Sequence, residues 1–363
     1  MKKWLICLPL FLAACTARER IGTVDDRLTE ETYETYLRIR EFGQRNHTLF
    51  GQQDATVYGI GWSGDENRSD VESVCGRRVG LYGWDIGGVE YGDSLNIDGV
   101  PFDRIRREIV AAYGRGGINT VSWHMRNPLN GESSWSPGDR VVGMMLPGGA
   151  LHDGYRQWLD RAAAFIGSLR TADGTPVPVL FRPFHENNGE WFWWGAPYAS
   201  AEEYKSLWRF TVDYLIREHD LHNLLFVFAP NYLSSREEYL SYYPGDDYVD
   251  IWGTDVYCFD DIAYFREVAA RALDILRDLA RESDKPYALT ETGQECVREP
   301  QWWTQVLQPL VTDRNLSYVM VWRNAYNRPD HYYAPYPGQG SAEDFVRFVN
   351  SPSILMEDNM KTY

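Results

Sequence analysis

Two glutamates, each at the end of an apolar run, are the residues of this chain best placed to do chemistry. Glu186 lies in Arg182-Pro183-Phe184-His185-Glu186-Asn187-Asn188-Gly189-Glu190-Trp191-Phe192-Trp193-Trp194, just after the apolar run Pro178-Val179-Leu180-Phe181. Glu291 closes Tyr287-Ala288-Leu289-Thr290 and is followed by Thr292 and Gly293. Glycoside cleavage needs two carboxyls in different states, one protonated to serve the leaving oxygen and one ionised to meet an oxocarbenium-like centre. The residues around Glu186 suit the same substrate class. A pyranose lays its flat C–H face on an indole, and its hydroxyls take a fringe of Asn, His, Arg and carboxylate. Carboxyls about 5–5.5 Å apart would retain the anomeric configuration, and about 6.5–9.5 Å would invert it. Linear spacing leaves that distance open. A lone strand-end glutamate is more often a surface or salt-bridged residue; two of them among tryptophans point to a reaction.

The elements that must hold these residues follow from the hydrophobic pattern. Strand-like runs fall at 48–52, 79–84, 119–124, 177–183, 224–229, 249–255, 287–290 and 318–322. Helix-compatible stretches lie between them, clearest at 102–113, 153–169, 201–217, 262–281 and 301–310. Strands and helices alternate, several strands are wholly apolar, and no glycine-rich first crossover marks an open nucleotide-binding sheet. The pattern therefore predicts a closed (β/α)8 TIM barrel forming a single catalytic domain over 27–363. Polar and aromatic residues gather on the C-terminal side of the runs: Trp84-Asp85, Trp123-His124, His185-Glu186, Asn231, Asp255 to Tyr257, Glu291, and Trp322-Arg323-Asn324. In a barrel those ends share one face. The Gly-, Pro- and Ser-rich segment 126–149 reads as a long loop over the mouth.

Composition narrows the partners. The chain has 36 basic and 52 acidic residues, a net charge of −16, with no basic run beyond the extreme N-terminus. Phosphate binding needs clustered Lys and Arg, so nucleic acid is excluded as a partner. With 14 Trp and 24 Tyr, aromatic residues exceed what packing requires and suggest a stacking cleft. Lys2 and Lys3 precede the apolar stretch 4–14, too short to span a bilayer, so 1–14 reads as an export signal. Leu12-Ala13-Ala14-Cys15 resembles a bacterial lipobox, which would make Cys15 the acylated first residue and 15–26 an anchor and tether. Thr16-Ala17-Arg18-Glu19-Arg20 lacks an acidic run of the kind that accompanies surface display, which favours a periplasm-facing lipoprotein touching the membrane only through that anchor. Cys75, Cys258 and Cys296 are scattered and odd in number, so at most one disulfide can form. No Cys or His spacing suits a metal, and two carboxyls suffice for this hydrolysis, so neither metal nor other cofactor is expected.

The motifs RPFHENNGEWFWWG, WGTDVY, LTETG and VWRN, in this order, resemble glycoside hydrolase family 26, typified by bacterial β-mannanases, over about 50–336. The resemblance implies retaining cleavage of β-1,4-mannosidic linkages in mannan, glucomannan or galactomannan, internally or by release of mannobiose. It implies Glu186 on the fourth strand as acid/base and Glu291 on the seventh as nucleophile. It further implies sugar contacts from His124 and His185, a hydrogen bond from Tyr257 to the nucleophile, and stacking platforms at Trp191 and Trp322. Arg182 would hold Glu291 ionised, Asp255 would support the same network, and Asn324 would reach a sugar hydroxyl. Xylan or mixed-linkage glucan as substrate, and a lipid-anchored glycan-binding protein without catalysis, are the competing expectations. The chain is expected to act as a monomer.

Overall fold

Eight parallel strands form the core of the computed structural model, which describes residues 22–138 and 140–363. They are β1 Thr48–Gln53, β2 Leu81–Asp85, β3 Ile118–Trp123, β4 Val179–Pro183, β5 Leu224–Phe228, β6 Ile251–Cys258, β7 Tyr287–Gln294 and β8 Tyr318–Val321. Each pairs with the next, and β8 returns to β1 from Leu49 opposite Tyr318 to Gln52 opposite Val321, which closes the barrel. A short strand, Ile354–Leu355, adds to β1 at Thr48 and Leu49. The fold is a (β/α)8 barrel, as the alternating pattern predicts. The strands read as near-continuous apolar runs because both their faces are covered, one by the barrel interior and the other by helices. The expected signal segment 1–14 and Cys15 lie outside the described residues.

The long helices are α1 Glu30–Gln44, α2 Phe102–Gly114, α3 His152–Gly167, α4 Ala201–Asp213 and α5 Ile262–Ser283. Four match predicted stretches. The fifth, α1, precedes the first strand and has no counterpart in the pattern reading. Thr29 caps it by accepting from the Thr32 N–H, and it buries Tyr33, Tyr36, Ile39 and Phe42 at intervals of three. These side chains share one apolar cluster with Leu49, Leu81, Ile118, Leu180 and Leu225 near the starts of the strands. Helix α1 therefore plugs the N-terminal end of the barrel, and a ligand must enter from the other end.

Two irregularities set the functional face. Thr254 pairs with Leu289 and Asp255 with Glu291, so Thr290 is an extra residue, a bulge in β7. The bulge lets neighbouring Thr290 and Glu291 both turn inward, which regular alternation forbids. At the end of β4, Phe184 and Glu186 both take left-handed backbone conformations, with φ of 50° and 52°. Such angles cost about 1–3 kcal/mol each in a non-glycine residue. Hydrogen bonds from the Glu186 N–H to Ala229 O (2.8 Å) and from Tyr204 Oη to Phe184 O (2.9 Å) hold them.

Candidate active site

The C-terminal mouth holds a cavity of about 700 Å³ lined by His124, His185, Glu186, Trp191, Tyr257, Glu291 and Trp322, among others. Seven residues picked out in the sequence thus meet around one opening. Arg182 and Asp255 lie buried within the same hydrogen-bond network. Arg182 comes from β4, opposite Ser122 of β3, and reaches across the barrel to β6 and β7. Its Nη1 donates to Asp255 Oδ2 at 2.8 Å, and its Nη2 donates to Glu291 Oε1. Tyr257 Oη donates to Glu291 Oε2 at 2.7 Å. Each Glu291 oxygen thus accepts a bond from a fixed donor, which holds the carboxyl in one orientation.

Glu186 stands in a different environment. Its Oε2 accepts from the Trp191 indole N–H at 2.7 Å, and Asn231 Nδ2 lies 3.5 Å from Oε1. Burial, reinforced by the negative charge of Glu291, pushes its carboxyl up to about 7 against the partial opposition of Trp191 and Arg182. Two carboxyls in one cavity thus stand in unlike environments, Glu291 held by Arg182 and Tyr257 and Glu186 by Trp191. Oxygens of Glu186, Asp255 and Glu291 lie within 4.8 Å of one another. Three carboxylates this close would also suit a cation, but the Arg182 guanidinium already supplies positive charge to two of them. Burial pushes Asp255 well above the usual carboxylate range, against the pull of Arg182.

A second polar chain runs along the mouth from β2 to β4. Asp85 Oδ2 lies 2.6 Å from His124 Nδ1, and His124 Nε2 lies 3.1 Å from His185 Nε2. Burial opposes a charge on His124, but Asp85 outweighs it and raises the imidazole above its ordinary value. His185 is pushed well below its ordinary value by burial, then by the charges of Arg182 and His124. The consistent assignment has His124 donating from Nε2 to a neutral His185 whose proton sits on Nδ1.

Residues 24–295 match the sequence profile of glycosyl hydrolase family 26. The chain belongs to that family. A family 26 β-mannanase from Bacteroides ovatus superposes with a TM-score of 0.89 at 45% identity, covering 91% of this chain and 96% of that one. A modular endo-β-1,4-mannanase from Cellulomonas fimi gives 0.85 at 32% identity, covering 93% and 78%. A mannan endo-1,4-β-mannosidase of Bifidobacterium adolescentis is 32% identical over 97% of this chain but 38% of its own length. The chain spans less than two-thirds of the curated relatives it matches, reaching 65% of the Bacillus subtilis mannan endo-1,4-β-mannosidase.

Several side chains of this family 26 site depart from, or add to, the sequence reading. Asn324 is buried and its amide is spent within the fold: Nδ2 donates to Asp70 Oδ2 (2.9 Å) and Ala334 O (3.1 Å), and Oδ1 accepts from the N–H groups of Tyr333 and Ala334. It organises the loop after β8 and keeps no donor for a sugar. Trp193 and Trp194 are fully buried, with indoles bonded to Met125 O and His185 O, and serve as packing. Trp135 was not among the expected site residues. It rises from the 126–149 segment, is 51% exposed, and stacks on His124 with ring centroids 4.9 Å apart. A lone indole among the polar residues 130–140 is the signal that could have found it. The same segment contains a short helix, Val141–Met145. Cys75, Cys258 and Cys296 are unpaired.

Proposed function

We propose that the chain hydrolyses β-1,4-mannosidic bonds in mannan, glucomannan or galactomannan with retention of configuration, Glu186 acting as acid/base and Glu291 as nucleophile. The observation that carries this reading is the pair of carboxyls in unlike environments, with an oxygen of each within 4.8 Å of the other. That separation suits direct attack, since an inverting pair needs about 6.5–9.5 Å to admit a water. Mannose as the sugar draws its support from the named activities of the relatives.

In the first step Glu291 attacks the anomeric carbon while Glu186 gives its proton to the glycosidic oxygen. The leaving sugar departs and a glycosyl ester of Glu291 remains. Glu186, now a carboxylate, takes a proton from water, the water attacks the same carbon, and Glu291 is released. Arg182 and Tyr257 fix the nucleophile's two oxygens, so it reacts without reorganising. His124 and Trp322 wall the donor sugar, and Trp191 both binds Glu186 and faces the leaving group.

Residues 1–14 serve as export signal and Cys15 as lipid anchor, with 15–26 a tether; Lys2, Lys3 and the Leu12-Ala13-Ala14-Cys15 sequence support this. The tether Thr16-Ala17-Arg18-Glu19-Arg20, which carries no acidic run, supports a periplasm-facing location. Loss of the protein on protease shaving of intact cells would contradict that location. The function itself is tested by reducing-sugar release from mannan. Wild type should be active, and Glu186→Gln and Glu291→Ala should each lose at least ~10³-fold; a variant that keeps full activity refutes its residue's role. The product profile, a ladder for internal cleavage or mannobiose alone for release from an end, fixes the mode.

A further inference from the structure

We propose that Phe259, Tyr264 and Tyr232 form a binding platform for the second sugar of the leaving group, one unit beyond the sugar whose oxygen Glu186 protonates. The assignment rests on the retaining mannanase reading above. Its direction comes from the acid. Glu186 must face the departing oxygen, and its own oxygens are held from the Trp191 and Asn231 side, by the loop after β4 and the end of β5. The donor sugar takes the opposite side, against His124 and Trp322. A leaving chain therefore runs from Trp191 and Asn231 toward the ends of β5 and β6.

Three aromatic rings wait there, in the same 700 Å³ cavity as the two glutamates. Phe259 follows β6 and is 80% exposed; Tyr264, in the first turn of α5, is 52% exposed. Folding gains little from rings this open to water, and neighbouring exposed aromatics mark a contact surface. Tyr232 follows Asn231 directly, and its hydroxyl bonds that of Tyr264 at 2.8 Å, which ties the loop after β5 to α5 and fixes both rings. Asp260 and Asp261 line the cavity beside them and supply acceptors for hydroxyls. Flat apolar faces with an acceptor fringe are the requirements of a pyranose.

The platform would help only substrates long enough to reach it. We therefore compare Phe259→Ala and Tyr264→Ala with wild type on mannotetraose and on 4-nitrophenyl β-mannobioside, whose leaving group is a single ring. Each variant should lose roughly tenfold in kcat/KM on mannotetraose, mainly through KM, and stay within about twofold of wild type on the aryl substrate. Phe259→Trp should restore cleavage of mannotetraose. Equal losses on both substrates would mean a structural role and overturn the assignment, as would no loss on mannotetraose. Wild type inactive on both substrates would instead overturn the mannanase reading, and the platform with it.

Discussion

Glu186 combines three properties that a residue selected only for stability would not have. Its backbone sits at φ 52°, its carboxyl is buried beside Glu291, and its proton is held up to a pH of about 7. The proposed acid works only while protonated, so kcat/KM should fall as pH rises through about 7. Trp191 donates to the ionised form and holds the carboxyl below where burial alone would put it. Trp191→Phe should therefore move the alkaline limb of the pH profile upward; a downward shift would show that the indole does not bond the carboxylate. The same group should weaken the fold. A glutamate near 4.3 when unfolded and near 7 when folded costs stability as pH rises between those values. Glu186→Gln removes that cost, so it should stabilise the protein by ~1–3 kcal/mol at pH 8 and by less at pH 5. Urea unfolding at the two pH values checks this, and a variant less stable than wild type at pH 8 would contradict it.

At the scale of elements, the barrel separates what stabilises from what reacts. Helix α1 seals the N-terminal end with side chains far from the mouth, and Phe42 is fully buried there. Phe42→Ala should cost about 3–5 kcal/mol by leaving a cavity, with kcat on mannan unchanged for the protein that remains folded. A matching fall in kcat would mean that the plug communicates with the site. Why α1 escaped the pattern reading is clear from its composition: buried residues every third position, interrupted by Glu34, Arg38 and Glu41, make a narrow stripe. The strands were legible because apolar runs bounded by turn residues admit few other readings, and the alternation with helices then closes the barrel. The β7 bulge at Thr290 was not legible. Nothing in Leu289-Thr290-Glu291-Thr292 says that two consecutive side chains face inward; the register with Asp255 on neighbouring β6 decides it.

For the whole molecule, the chain brings Glu186, in the turn after the fourth strand, and Glu291 of the seventh to a common opening although 105 positions separate them. Sequence could name both because each ends an apolar run, and it could name Arg182 because a cation on the same strand faces the same mouth. The sequence could not supply their separation, the left-handed turn at Glu186, or the saturation of Asn324 by its own loop, since these depend on contacts between distant segments. Electrostatics at this scale agrees with the proposed substrate: a net charge of −16 would repel polyanions and leave a neutral polysaccharide unaffected. The account stands on Glu291 becoming covalently bound to sugar. Incubation with a 2-deoxy-2-fluoro-β-mannosyl fluoride, followed by intact mass and peptide mapping, tests that most directly. We expect a single glycosyl adduct on the peptide carrying Glu291, formed more slowly in Glu186→Gln only where the leaving group needs a proton. An adduct on another residue, or inverted product with no adduct at all, would contradict the account.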